Sequence, residues 1–188
     1  MKLAARRILW GKTSNAGQFC VTPDYVLLSS DTLQPFLDGL KETIDEFYPS
    51  DASGEAEGFE ARFSDMAKIV SQLHFDRLTD LLAQTKGKVV FGGMTTKDKL
   101  TSRGAPVHKI ALTVVVFDNP GWQDDALMAT ENFGPVLPIV VIPAPSPERM
   151  LHQALDFIRS RDCPLVLYAF SQNDDVKELS ELLGLEIC

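Results

Sequence analysis

Apolar and polar positions alternate with two different periods along this chain of 188 residues. Segments with apolar residues three and four positions apart predict amphipathic helices, and short β-branched runs predict buried strands. Helices are predicted over residues 3–16, 31–47 and 71–84, from Ser146, and from Asn173. Strands are predicted over residues 25–29, 88–91, 110–117, 136–142 and 163–170. Because helices and strands alternate, we expect an α/β fold with a largely parallel sheet flanked by helices.

Local signals place several element ends and loops. Gly17 suits a left-handed cap at the end of the first helix, and Pro35 is tolerable in the first turn of the second. Ser146, followed by a proline and an acid, is typical of a helix start. The acidic, small residues over 49–58 indicate a surface loop, and residues 95–106 a polar excursion.

Length and composition favour one domain over residues 1–188, since the chain is 45% hydrophobic and 23% charged. The net charge of -8 argues against a nucleic-acid partner, because phosphate contacts need clustered lysine and arginine. No apolar run approaches the roughly 18 residues of a membrane-spanning helix, so we expect a soluble, cytoplasmic chain without a membrane segment. The three cysteines form no C-x-x-C pair, which is typical of a reducing compartment. The three histidines lack ligand spacing, so no metal site is predicted.

Cys20 is the candidate nucleophile of the chain. It ends the stretch Asn15-Ala16-Gly17-Gln18-Phe19-Cys20, in which a thiol follows a glycine turn after a helix. The amide of Cys20 itself would be available to an oxyanion formed by attack of its sulfur. The alternative for an isolated cysteine is a small buried hydrophobic residue. We retain that alternative for Cys163, in a predicted buried strand, and for the terminal Cys188.

The stretch ending at Cys20 resembles the Asn-x-Gly-Gln-x-Cys motif of aldehyde dehydrogenases, and the residues that follow resemble the class 3, fatty-aldehyde branch. Downstream, Glu131-Asn132-Phe133-Gly134-Pro135 is similar to the family's Glu-x-Phe-Gly-Pro block. The resemblance implies oxidation of an aldehyde substrate to a carboxylic acid with NAD or NADP, through a thiohemiacetal and a thioester on Cys20. It implies further that Glu131 binds the nicotinamide ribose hydroxyls and that Phe133 packs near the nicotinamide.

The resemblance also implies how much of such an enzyme these residues represent. In the family, the general-base glutamate, the oxyanion-hole asparagine and the cofactor-binding Rossmann domain precede the nucleophile, and they have no counterpart here. We therefore expect a single, incomplete aldehyde dehydrogenase catalytic domain with the Rossmann domain absent, and very low turnover by this chain alone.

Two other functions are compatible with these residues. The chain would act as a catalytically dead interaction partner of a full-length dehydrogenase, or as a thiol esterase that uses Cys20 without a cofactor. An oligomer with itself or with a dehydrogenase subunit is compatible with the resemblance.

Overall fold

The computed structural model describes residues 1–49, 65–93 and 108–171, together with the backbone of residues 101–102 and 105–106. The chain forms two compact units, Met1–Pro143 and Ala144–Cys188. The predicted acidic loop after Pro49, the helix expected from Asn173, and Cys188 lie outside the described residues.

The first unit contains a four-stranded sheet in the order β1-β6-β5-β2. β1, β6 and β5 run parallel, and β2 pairs antiparallel with β5. A separate antiparallel pair is formed by β3 and β4. The strands are β1 (Val26–Ser29), β2 (Lys88–Phe91), β3 (Thr101–Ser102), β4 (Ala105–Pro106), β5 (Thr113–Phe117) and β6 (Val136–Ile142). The expected α/β fold with a largely parallel sheet is confirmed.

The two central strands are buried along their whole length. Every residue of β5 and of β6 is buried, as their continuous β-branched runs predict for strands covered on both faces. The predicted strand over 110–117 is shorter than expected, because residues 110–112 are buried but precede the ladder with β6.

Three longer helices complete the first unit: α1 (Lys2–Thr13), α2 (Ser30–Phe47) and α3 (Gln72–Gln84). A short helix, α4 (Ala126–Ala129), precedes β6. α1 packs against α2, and α2 contacts β1 and β6. Phe36, Leu40 and Ile44 of α2 are buried in the apolar core, so the predicted stripe does face the sheet side. Pro35 lies inside α2 and not in its first turn.

The second unit contains α5 (Pro147–Arg159), which begins where the sequence predicts. The Ser146 hydroxyl accepts a 3.3 Å hydrogen bond from the Arg149 backbone N–H, and Pro147 occupies the first turn.

The predicted buried strand over 163–170 is wrong. These residues form no strand, and Leu165 and Tyr168 are 71% and 50% exposed. Cys163, expected to be buried within that strand, is exposed as well. An apolar run shows that the side chains are hydrophobic, but it does not show which backbone would pair with them. A strand forms only where a neighbouring backbone completes its hydrogen bonds.

In the described part of the chain, the helices are too short or too polar to cross a bilayer.

Candidate functional site

The backbone before Cys20 leaves the helix through a left-handed turn. α1 ends at Thr13, earlier than predicted, and a 3-10 turn covers Ser14–Gly17. Asn15, Ala16 and Gly17 have φ angles of 49°, 53° and 72°. Asparagine and glycine adopt this region most readily, while alanine does so at a cost. Gly17 is left-handed, as the sequence predicts, and the turn redirects the chain from α1 toward Cys20.

Gln18 fixes the turn to a distant segment of the chain. Its Nε2 donates to the carbonyl oxygens of Asn15 and Lys68, each at 2.9 Å. Its Oε1 accepts from the Val70 backbone N–H, also at 2.9 Å. The amide group of Gln18 uses its donor and acceptor ends together, which fixes its orientation. This motif residue therefore anchors the segment that presents the thiol.

Cys20 lies in an exposed turn between Gln18 and β1. The Thr22 N–H donates to the Phe19 carbonyl at 3.0 Å, closing a turn around Cys20. The cysteine is exposed, and so are its neighbours Phe19 and Val21. The alternative of a buried hydrophobic residue is excluded by this exposure. A thiol in this position is accessible to a small electrophile.

Glu131, Asn132 and Phe133 form the segment between α4 and β6. Glu131 is exposed, Asn132 is buried and Phe133 is half-buried. Phe133 has a φ angle of 50°, although it is not a glycine. A bulky residue in the left-handed region costs on the order of 1–3 kcal/mol and is found mostly at functional positions. The segment presents a carboxylate and, two residues later, an aromatic ring on a strained backbone.

Three successive carbonyls of this segment accept hydrogen bonds from α3. Arg77 donates to the carbonyl of Glu131 at 3.2 Å and also to that of Asn132. His74 Nε2 lies 2.7 Å from the carbonyl of Phe133. A carbonyl only accepts, so His74 carries a proton on Nε2, and its Nδ1 then accepts from Arg77 Nε at 3.4 Å. The helix thus holds the backbone of the Glu131–Phe133 segment at three consecutive positions.

The two motif segments touch through glycines. A Cβ on Gly17 would overlap the carbonyl group of Gly134, and a Cβ on Gly134 would lie 2.6 Å from Leu78 Cδ1. Only a residue without a side chain permits this approach of one backbone to another. The sequence motifs ending at Cys20 and starting at Glu131 are therefore packed together in the fold.

Asp24 joins the link between Cys20 and β1 to the Glu131–Phe133 segment by hydrogen bonds. Its carboxylate accepts from the Asn132 backbone N–H at 3.0 Å and from Asn132 Nδ2 at 3.4 Å. Asn132 Nδ2 also donates to the Leu127 carbonyl at 3.1 Å.

Four further residues contact this arrangement and were not predicted as site residues from the sequence: Lys12, Asp24, His74 and Arg77. A weak signal existed for Asp24, which follows the cysteine within the resembling stretch, and for His74 and Arg77, since residues 74–78 also resemble a helix region of the family. Lys12 is an ordinary residue of a helical pattern, and only the fold shows its position near Asp24.

Among the residues that the structure describes, no group of three or more His, Cys, Asp or Glu side chains is arranged to hold a metal ion.

Comparison with known proteins gives a consistent set of matches. Residues 1–156 match the model of the aldehyde dehydrogenase family. The chain is 38% identical over 176 residues to the dimeric NADP-preferring aldehyde dehydrogenase of Bos taurus, covering 94% of this chain and 62% of that protein. It is 35% identical over 181 residues to aldehyde dehydrogenase family 3 member H1 of Arabidopsis thaliana, covering 95% of this chain and 32% of that protein.

A solved structure agrees with these relatives. The substrate-bound state of Staphylococcus aureus AldH superposes with a TM-score of 0.76 at 31% identity, covering 98% of this chain and 35% of that one. The chain therefore spans less than two thirds of the length of each of these three proteins.

Proposed function

The chain belongs to the aldehyde dehydrogenase family, and we propose that it carries the nucleophile and the nicotinamide-binding segment of an enzyme that oxidises aldehydes to carboxylic acids with NAD or NADP. The observation that carries this proposal is the packing of two segments, one presenting an exposed thiol and the other an exposed carboxylate beside an aromatic ring. The bovine relative is named NADP-preferring, which supports a nicotinamide cofactor.

Cys20 is the proposed nucleophile. Its thiolate attacks the carbonyl carbon of the aldehyde, forming a C–S bond and placing the negative charge on the former carbonyl oxygen. The resulting thiohemiacetal loses a hydride and becomes a thioester on the same sulfur. Water then cleaves the C–S bond, which releases the carboxylic acid and restores the thiol. The exposure of Cys20 is consistent with these reaction steps, because an aldehyde must reach the sulfur and water must later reach the thioester.

Glu131 and Phe133 fit a nicotinamide nucleotide by their chemistry. A carboxylate has two acceptor oxygens, so Glu131 can accept from both hydroxyls of a ribose. The ring of Phe133 offers a flat apolar face to a planar heterocycle. When bound, NAD(P)+ supplies the hydride acceptor that the side chains of this chain lack. His74 and Arg77 keep the backbone of the segment fixed while it holds that group.

The test uses the native protein, purified through a tag fused to its gene in the cell that makes it. Aldehyde-dependent formation of NADH or NADPH is followed by absorbance with a panel of aliphatic and aromatic aldehydes. Cys20→Ala should lower the rate at least about 10³-fold, since the nucleophile itself is lost. Cys163→Ala is the matched control, because that cysteine is also exposed. Equal rates for the two variants, or no reduction of either cofactor by the wild type, would overturn the proposal.

A further inference from the structure

Lys12 is a fully buried lysine at the end of α1, eight positions before Cys20. Its Nζ lies 3.9 Å from Asp24 Oδ1, an ion-pair distance longer than a hydrogen bond. Among the described residues, this ammonium has no hydrogen-bond partner. An ammonium without hydrogen bonds in a buried position is costly, so its presence calls for a physical reason.

Asp24 is the link between Lys12 and the Glu131–Phe133 segment. The carboxylate that faces Lys12 also accepts from the Asn132 backbone at 3.0 Å. Asn132 is itself completely buried, and its Oδ1 has no hydrogen-bond partner among the described residues. Three segments thus meet in one buried polar cluster: the end of α1, the link into β1, and the residue between Glu131 and Phe133.

Burial lowers the pKa of Lys12 to about 8, and the negative charges of Asp24 and Glu131 oppose this effect. These two carboxylates act on the ammonium from different segments, Asp24 from the link into β1 and Glu131 from the Glu131–Phe133 segment. Replacing a buried ion pair by apolar residues is often neutral or stabilising, so fold stability alone does not account for a lysine here. A charge is useful at this position if it holds carboxylates in place.

We propose that Lys12 is a positioning residue: its buried ammonium holds the Asp24 carboxylate, and through it the Asn132 backbone, so that Glu131 and Phe133 keep a fixed position relative to Cys20. The inference rests on the proposed function, since it assumes that Cys20 is the nucleophile and that Glu131 and Phe133 bind the cofactor. Lys12 itself does not touch the reacting atoms in this scheme. It acts through Asp24, whose carboxylate is restrained by the charge on one side and by the Asn132 N–H on the other.

The first test follows the Asn132 backbone amide by nuclear magnetic resonance in the ¹⁵N-labelled 188-residue chain. In the wild type, the amide proton shift should titrate with a midpoint near pH 8, because the charge on Lys12 changes there. Lys12→Met should abolish that titration and speed hydrogen exchange of the Asn132 amide about tenfold. The matched control is Lys2→Met, which removes an exposed ammonium from the same helix.

Each outcome of this test bears on the proposal. A wild-type amide shift that stays flat from pH 7 to about 11, the whole range in which a lysine titrates, or a Lys12→Met amide that behaves like the Lys2→Met amide, would overturn it. The wild-type titration needs no substitution, so a failure of Lys12→Met to fold does not remove the test.

The second test measures the KM for NAD(P)+ in the native protein. Lys12→Met should raise this KM about tenfold and change kcat much less, while Lys2→Met should change neither. An unchanged KM would overturn the role in positioning Glu131. The two proposals fail separately. If Cys20→Ala had no effect on the rate, the titration of the Asn132 amide would still test the role of Lys12. If the Asn132 amide did not titrate, the effect of Cys20→Ala would still test the role of Cys20.

Discussion

The backbone of Gly17 lies directly against the carbonyl group of Gly134, with no room for a side chain between them. This contact joins the turn that leads to Cys20 with the end of the Glu131–Phe133 segment. Two motifs more than a hundred residues apart in sequence are therefore in direct backbone contact. The relative position of thiol and carboxylate depends on a glycine that belongs to the first motif.

Gly17→Ala should destabilise the first unit more than a left-handed conformation alone explains. At a φ of 72° an alanine costs about 1–2 kcal/mol, and the overlap with Gly134 adds about 1–3 kcal/mol. Gly121→Ala is the matched control, since its φ is 90° and nothing lies within 4 Å of the added Cβ. Urea unfolding followed by tryptophan fluorescence reports on this unit, because both tryptophans, Trp10 and Trp122, lie within it. Equal free energies of unfolding for the two variants would contradict the contact.

Arg77→Met should lower the free energy of unfolding by about 2 kcal/mol, because two charged hydrogen bonds to the carbonyls of Glu131 and Asn132 are lost. Arg77→Lys should recover only part of this loss, since an ammonium cannot reproduce the planar fork. The same urea unfolding experiment measures both. Arg7→Met, at an exposed arginine of α1, is the control and should change stability by less than about 0.5 kcal/mol. If Arg77→Met changed stability no more than this control, the hydrogen bonds from Arg77 to the Glu131 and Asn132 carbonyls would contribute nothing to stability.

The sequence predicts those features that depend on neighbouring residues, and it does not predict those that depend on contacts between distant segments. The elements with long, regular patterns, such as α3 and β6, were predicted closely, because their period is a local property. Cys20, Glu131 and Phe133 came from resemblance. The run over 163–170 was predicted wrongly, since apolar character does not specify a neighbouring backbone.

The polar contacts around the site were beyond sequence reasoning for a different reason. Asp24 and Asn132 are 108 residues apart, and nothing local pairs them. The burial of Lys12 is likewise a consequence of three segments meeting, because an isolated α1 would leave part of that side chain in water. Side chains of this kind are recognised only when the fold is known.

Glu131→Gln should raise the KM for NAD(P)+ about tenfold in the native protein. A neutral amide accepts weaker hydrogen bonds from ribose hydroxyls than a carboxylate does, and the difference amounts to about 1 kcal/mol or more. Steady-state rates with varied cofactor at saturating aldehyde measure this. Glu148→Gln removes another exposed carboxylate, in α5, and should leave the KM unchanged. A KM for Glu131→Gln equal to that of the control would remove Glu131 from the cofactor site.

Stability of the first unit should rise with pH above pH 8 because of Lys12. Burial lowers the pKa of this lysine from 10.5 to about 8, with Asp24 and Glu131 opposing the effect. Between these two pH values the unfolded chain binds one more proton at this residue than the folded chain does. The free energy of unfolding therefore increases with pH across this window, by up to about 3 kcal/mol. Below pH 8 both states carry the charge, and the full cost of burying it is present.

Lys12→Met should remove this increase, so that the free energy of unfolding of the variant minus that of the wild type falls as the pH rises from 7 to 10. Urea unfolding at pH 7, 8, 9 and 10, followed by tryptophan fluorescence, measures the difference between the two proteins. All other ionisable groups are common to both proteins, so their contributions cancel in the difference. Lys2→Met should keep the wild-type slope between pH 8 and pH 10, because Lys2 is exposed and its pKa is raised by Glu42. Parallel profiles for the wild type and Lys12→Met would mean that the buried ammonium does not titrate near pH 8.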